Sequence, residues 1–217
     1  TTIFPDWERH AAELLDSGLR LSTITNLAKL LTEEEAKVFS RFKELRVSLD
    51  SPDRAQLKQI RRKVDLRTIL HNIHLIRSHA FTDFRPGPRF HFTCVLFSEN
   101  TEHLPRLVAL AGSCGATLHL QNPTLIRGLD EPEEGPLTPL SELGSEAKQA
   151  AFQVIVEAFK LAKALKVQLT ADPMLEAQFD ARMEDEIEAV KHEFDDPNAT
   201  RPLELVNITT RSKGGQT

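Results

Sequence analysis

The chain has 217 residues, of which 40% are hydrophobic and 27% are charged. This composition is typical of a globular protein with a substantial core and excludes a chain that is disordered throughout. No stretch approaches the 18 uncharged apolar residues that a membrane-spanning helix requires. We therefore expect no insertion into a membrane, and a cytoplasmic or nuclear location.

The net charge of −5 conceals a strong asymmetry along the chain. Residues 1–100 hold 16 basic and 13 acidic side chains, whereas residues 101–217 hold 11 basic and 19 acidic ones. Nine basic residues face only two acidic ones between residues 54 and 89, and seven acidic residues face one lysine between residues 184 and 196. This separation predicts a basic surface that meets an anion or an acidic partner.

The first third of the chain has apolar residues at helical spacing. Trp7, Ala11 and Leu14 predict a first helix that begins after Asp6, and a second helix is expected over residues 23–31.

A third helix is predicted to begin at Thr32, because Glu35 stands three residues later, as in a capping box. Its apolar stripe continues to Leu45. Residues 54–78 predict a long fourth helix whose apolar stripe shifts near Asp65, which indicates either a kink at that point or two partners packed at different angles.

The apolar period changes after the sequence Pro86-Gly87-Pro88, which is incompatible with regular structure. Alternating or continuous apolar runs then predict strands over 90–97, 116–121 and 167–170. The intervening segments predict helices over 101–111 and from Ser145 to Leu165, and the run 121–140 predicts a long loop. An acidic helix over 174–194 and an edge strand over 203–208 complete the prediction.

The order of these elements predicts an α+β or α/β fold. A helical N-terminal half precedes a small, mostly parallel sheet of three to four strands with flanking helices, since strand–helix–strand units favour parallel crossovers. The predicted regions are helical residues 1–81, a linker at 82–89, a βαβαβα region at 90–210 and a disordered tail at 211–217. One continuous domain is the alternative.

Motifs for catalysis, nucleotides and metals are weak in this sequence. The turn over residues 97–101 has no glycine, and Glu99 would repel a phosphate, so we expect no nucleotide and no cofactor. His71 and His74 point away from the apolar stripe and are expected to face solvent or a partner, without a metal. Cys94 is interpreted as a buried, inert thiol, and Cys114 as a more exposed thiol whose reactive thiolate the helix C-terminus disfavours. We assign no catalytic residue.

The strongest candidate site is therefore a basic ridge that binds an anion or a partner. Arginine dominates it, and the planar guanidinium suits phosphate and carboxylate groups. The ridge comprises Arg54, Lys58, Arg61, Arg62, Arg85 and Arg89.

Three functions are compatible with these observations. The first hypothesis is a non-catalytic protein-interaction subunit or adaptor of an intracellular complex, which binds a protein partner through helical surfaces. The second is binding of RNA or DNA through the basic ridge, although the isoelectric point of 5.9 argues against it. The third is an enzyme whose site lies at the carboxyl edge of the small sheet, where Glu99 and Asp172 are expected.

Overall fold

The computed structural model describes residues 6–123 and 137–178, together with residues 185, 187 and 188. The predicted edge strand over 203–208, the tail over 211–217 and most of the predicted acidic helix and of the loop over 121–140 lie outside the described residues. No helix in the described part is long and apolar enough to cross a membrane.

The described chain alternates between helices and strands in an α/β fold. Its strands are β1 (Ser22–Thr25), β2 (Glu44–Ser48), β3 (Arg89–Val95), β4 (Thr117–Gln121) and β5 (Leu169–Ala171). Its helices are α1 (Trp7–Asp16), α2 (Glu33–Phe39), α3 (Arg54–Ile60), α4 (Leu66–Thr82), α5 (Ser98–Thr101), α6 (Leu104–Ser113), α7 (Ser145–Ala164) and α8 (Pro173–Glu176), with one 3₁₀ turn at Leu140–Glu142.

The five strands form one parallel sheet in the order β1-β2-β3-β4-β5. The predicted fold class is confirmed, with five strands where three to four were expected. Because parallel crossovers are right-handed, a consecutive strand order places the connecting helices on one face of the sheet. The same order occurs in parallel β/α barrels, which close with eight strands.

The hydrophobic core lies between the sheet and these helices. Strand β3 alternates in burial, with Phe90, Phe92 and Cys94 almost fully buried on the helix side. Their register partners Leu45 on β2 and Leu118 on β4 are buried as well. The opposite strand face carries polar side chains and is described below.

Two strands replace helices that were predicted in the N-terminal half. The predicted helix over 23–31 is wrong, because Thr23, Ile24 and Thr25 pair with β2 instead. The predicted third helix begins with the expected capping box at Thr32 but ends at Phe39, and Leu45 lies in β2. The β-branched residues of β1 fit a strand better than a helix.

The predicted kink near Asp65 is confirmed as a full break between two helices. Helix α3 ends at Ile60, Lys63 adopts a left-handed backbone with φ of 65°, and Asp65 caps α4 by accepting a hydrogen bond from the backbone of Arg67 at 2.8 Å. The division of the chain at residues 82–89 stays a prediction, and the sheet itself contains strands from both sides of that segment.

Candidate functional site

The face of the sheet opposite the helices, called the open face below, is lined mainly by polar side chains, with Ile24 and Val95 as its apolar members. It follows from the strand alternation, because side chains of one strand point to the two faces in turn. The crossover rule places the helices that connect the strands, α2 to α7, on the other face. Its residues are Ser22, Ile24, Glu44, Arg46, Ser48, Arg89, His91, Thr93, Val95, Thr117, His119, Gln121 and Thr170.

Strand register arranges these side chains in rows across the open face. One row near the carboxyl ends, called the upper row, joins four strands through the pairs Ser48–Thr93, Thr93–His119 and His119–Thr170. Neighbouring members are one strand spacing apart, about 4.8 Å. The upper row therefore carries three hydroxyl groups and one imidazole at one level of the open face.

Both histidines of the open face are oriented by a threonine on the next strand. The Nδ1 atom of His119 lies 2.9 Å from the Thr170 hydroxyl, and the Nδ1 atom of His91 lies 2.6 Å from the Thr117 hydroxyl. A hydrogen bond to one ring nitrogen fixes the ring and leaves the other nitrogen for chemistry. Of the two imidazoles, only that of His119 keeps an accessible Nε2 in the described part of the chain, because Nε2 of His91 is buried.

A charged group lies below the upper row, toward the amino ends of β2 and β3. The carboxylate of Glu44, only 14% exposed, accepts a hydrogen bond from Nε of Arg46 at 2.8 Å and lies 3.9 Å from Arg89. The hydrogen bond from Arg46 lowers the pKa of Glu44, against the opposing effect of burial. Nε2 of His91 is buried without a hydrogen bond in the described part and lies 3.5 Å from Glu44.

The imidazole of His91 is held neutral by its surroundings. Burial is the main cause that lowers the pKa of His91, and the charges of Arg46 and Arg89 act in the same direction. Glu44 opposes them. The open face therefore contains a neutral imidazole between two arginines.

The segments that follow β2 and β3 are locked together at the carboxyl edge of the sheet. The side-chain amide of Asn100 donates to the backbone carbonyls of Asp50 and Val95, both at 2.9 Å, and its oxygen accepts from the backbone of Phe97 at 2.8 Å. Asn100 and Asp50 are each 2% exposed. These bonds brace the edge rather than offer free groups to a ligand.

Asp50 also holds the turn after α3. Its carboxylate pairs with the guanidinium of Arg61 and accepts a hydrogen bond from the backbone of Val95 at 2.8 Å. Cys94 lies against the same residue, with its sulfur 3.6 Å from the Asp50 carbonyl. Burial raises the pKa of the Cys94 thiol well above its usual range, and the charge of Asp50 adds to this effect.

The segment that follows β1 is held in a strained conformation. Leu27 has a φ of 47°, in the left-handed region that non-glycine residues rarely adopt, and its side chain is buried. The buried amide of Asn72 on α4 donates to the carbonyls of Leu27 and Lys29 and accepts from the backbone of Leu31. Backbone strain that neighbouring hydrogen bonds hold in place, as here, is frequent beside functional sites.

The two acidic residues expected at the carboxyl edge have structural roles. Both oxygens of Glu99 accept from the backbone of Thr138, at 3.2 and 3.0 Å. Burial acts to raise the pKa of Glu99, and these hydrogen bonds outweigh it, so the net pKa is lowered. Asp172 caps α8 through a 2.8 Å bond from the backbone of Met174.

The predicted basic ridge is dispersed over several places. Arg54 pairs with Asp65 at 2.8 Å, Arg61 pairs with Asp50, and Arg89 belongs to the open face beside Glu44. Lys58, Arg62 and Arg85 are exposed, with no ion pair among the described residues. Carboxylates of the N-terminal half thus neutralise half of the ridge, and its role in binding stays a prediction.

His71 and His74 on α4 lie on the side of the helix that was predicted to face solvent or a partner. His71 and His74 are exposed on the helix surface. Among the described residues no group of three or more His, Cys, Asp and Glu side chains is arranged to hold a metal ion.

Comparison with solved structures relates this fold to two proteins. SuiB of Streptococcus suis, solved bound to S-adenosylmethionine, matches with a TM-score of 0.55 and 11% identity over 79% of this chain and 35% of SuiB. A domain of pyruvate-formate lyase-activating enzyme from Bacteroides vulgatus matches with a TM-score of 0.46 and 15% identity over 78% of this chain and 95% of that domain. The chain thus spans about a third of SuiB. No family model and no curated sequence matches.

These comparisons correct three functional predictions. The expectation of a non-catalytic adaptor that binds a protein partner is wrong, and so is the nucleic-acid alternative, because the solved structures similar to this fold include SuiB bound to S-adenosylmethionine. The expectation that no nucleotide-like ligand binds is wrong for the same reason. The glycine-poor turn misled the prediction, since a parallel sheet has other surfaces that receive ligands.

Sequence reasoning missed the open face almost entirely. It took Glu44 and Arg46 for the end of a helix region and did not consider Thr93, His119 or Thr170 as site residues. The signal was present in β4, where Thr117, His119 and Gln121 alternate with buried leucines. The sequence does not show that five strands contribute to one face. That fact follows only from the order of the strands in the sheet.

Proposed function

We propose that the chain is an enzyme domain whose small-molecule site lies on the upper part of the open face. The ligand is S-adenosylmethionine or a closely related adenosine derivative. The observation that carries the proposal is the upper row, Ser48, Thr93, His119 and Thr170, which puts hydroxyl and imidazole groups at one level across four strands. The likeness in fold to the S-adenosylmethionine-bound SuiB supports the choice of ligand.

The chemistry of the row suits such a ligand. S-adenosylmethionine carries ribose hydroxyls and an amino-acid group, and both need hydrogen-bond donors and acceptors close together. Hydroxyl groups of Ser48 and Thr93 donate and accept hydrogen bonds without charge, so they match either partner. Active sites of parallel β/α proteins lie at the carboxyl ends of the strands, which is where this row stands.

His119 is the residue best placed to move a proton on this face. Its Nδ1 is engaged by Thr170, so Nε2 is the nitrogen that meets a ligand on the upper row. Asp50 and Asn100 keep the edge in place without contacting the ligand, because both are buried. Glu99 and Asp172 are not given catalytic roles, since hydrogen bonds to the backbone occupy them.

A location inside the cell, in the cytoplasm or nucleus, belongs to the same proposal. Cys94 and Cys114 are both unpaired and buried, which agrees with a reducing compartment. Fractionation of the native protein from its own cells tests this location. Its recovery outside the cell would contradict it.

Calorimetric titration with S-adenosylmethionine tests the proposed ligand. We expect saturable binding by the native chain and at least a tenfold weaker affinity for Thr93→Val and for His119→Phe, because each removes a polar group of the upper row. Thr68→Val on α4 is the matched control and is expected to bind like the native chain. Conversion of the ligand is followed by chromatography in the same samples. Failure of the native chain to bind would overturn the proposal.

A further inference from the structure

The lower part of the open face carries a charged group that the upper row does not use. Glu44, Arg46, Arg89 and His91 lie together on β2 and β3, through the register pairs Glu44–Arg89 and Arg46–His91. Among the described residues of the open face, Glu44 is the one carboxylate. Two arginines therefore face one acid, and the group has a positive excess.

Arg46 is held in a defined orientation with its outer edge available. Its Nε donates to Glu44 at 2.8 Å, and the side chain of Glu44 is 14% exposed, so the acid is a fixed anchor. The two terminal amino groups of Arg46 have no hydrogen bond within the described part of the chain, and the side chain is 58% exposed. A guanidinium fixed through Nε presents these amino groups as a fork that matches a carboxylate or phosphate.

The neighbouring groups favour an anion at this place. Arg89, 65% exposed, adds a second positive charge at the same end of the face. Burial, aided by both arginines and opposed by Glu44, lowers the pKa of His91, so this imidazole contributes no positive charge of its own at neutral pH. The remaining titratable group of the face is His119, one row above.

We infer that Arg46, oriented by Glu44, binds the carboxylate or phosphate of a second molecule on the open face. This inference rests on the proposed function, since it gives the substrate class of the same site. The anion lies in the row below the upper row, roughly 7 Å away along the strands. The substrate is therefore an acid or a phosphate ester that lies next to the adenosine derivative.

Nuclear magnetic resonance titration tests this inference with two simple probes, inorganic phosphate and succinate. The backbone amide of His91, the register partner of Arg46, reports binding. We expect one or both anions to shift this signal in the native chain, and the stronger probe identifies the preferred group. Arg46→Gln is expected to weaken binding at least tenfold, and Arg46→Lys less, because lysine keeps the charge but loses the fork. Arg106→Gln on α6, on the helix side, is expected to bind like the native chain.

The outcomes separate this inference from the proposed function. Equal anion affinity in the native chain and Arg46→Gln, or no shift with either anion, overturns the inference. Titration is repeated with saturating S-adenosylmethionine, and we expect the anion to bind still. Competition between the two overturns the claim of a second molecule. Anion binding that depends on Arg46 in a chain that fails to bind S-adenosylmethionine supports the anion site and overturns the proposed ligand.

Discussion

The side-chain amide of Asn100 donates a hydrogen bond to the backbone carbonyl of Asp50 at 2.9 Å, which joins the segments that follow β2 and β3. The same amide donates to Val95, so Asn100 spans the carboxyl edge beside the upper row. The edge is thus shaped by a buried amide and not by a glycine-rich turn. Its integrity is a condition for the geometry of the open face.

Replacement of Asn100 with aspartate tests this brace. The substitution keeps the shape but removes the donor and directs a carboxylate at two carbonyl oxygens. Loss of buried hydrogen bonds of this kind costs about 2–4 kcal/mol in the free energy of unfolding. Urea denaturation measures it. Gln59→Glu, an exposed amide-to-acid change on α3, is the control and should change stability by less than about 0.5 kcal/mol. Equal changes in the free energy of unfolding for the two variants would show that the hydrogen bonds of Asn100 do not stabilise the fold.

The backbone break between α3 and α4 gives a prediction of the opposite sign. Lys63 has a φ of 65°, a conformation that costs a non-glycine residue about 1 kcal/mol. We expect Lys63→Gly to stabilise the protein by up to about 0.5 kcal/mol, because the extra freedom of glycine in the unfolded chain offsets part of the relieved strain. Lys58→Gly, inside α3, should instead destabilise it by about 1 kcal/mol. Thermal unfolding of both variants checks this contrast, and a loss of stability for Lys63→Gly would refute it.

The pH dependence of stability follows from His91. Its pKa is lowered in the folded state, so below the ordinary histidine pKa of about 6.5 the unfolded chain takes up a proton that the folded chain does not. The folded state therefore loses stability as the pH falls through that value. His91→Gln should show a smaller loss between pH 7.0 and pH 5.5, measured by urea denaturation. His74→Gln on α4 is the control, and an unchanged pH response in His91→Gln would contradict the prediction.

The thiol of Cys94 should be unreactive in the native protein. It is 1% exposed, and burial together with the charge of Asp50 raises its pKa. In Cys114→Ser, Cys94 is the remaining cysteine of the chain. We expect iodoacetamide to modify it only after urea is added, as seen by mass spectrometry of the intact protein. Modification in the absence of urea at the rate of an exposed thiol would contradict the burial of this residue.

Sequence patterns predicted those features of local structure that depend on residues within a single helix. The capping box of Thr32 and Glu35 is present as expected, and the break near Asp65 follows the shift of the apolar stripe. Strand β1 was missed because its four residues gain their stability from pairing with β2, whose register partners lie 22 residues later in the chain. Local pattern carries no information on such pairing.

The candidate site was hidden for a related reason. Glu44 and His91 share a face only because β2 and β3 are adjacent, although the two residues are 47 positions apart in the chain. The basic ridge looked continuous on a helix that in fact ends at Ile60, so Arg61 turned inward to Asp50. Charge counted along the sequence cannot distinguish a free cation from one that a distant carboxylate neutralises.

Mapping of the ligand on the folded chain tests the central claim most directly. Backbone amide shifts are recorded while S-adenosylmethionine is added to the isotope-labelled protein. We predict that the largest changes fall on Ser48, Thr93, His119 and Thr170, with little change on α4 or α6. Changes confined to the helix side of the sheet, or none at a saturating concentration, would contradict an adenosine-derivative site on the open face.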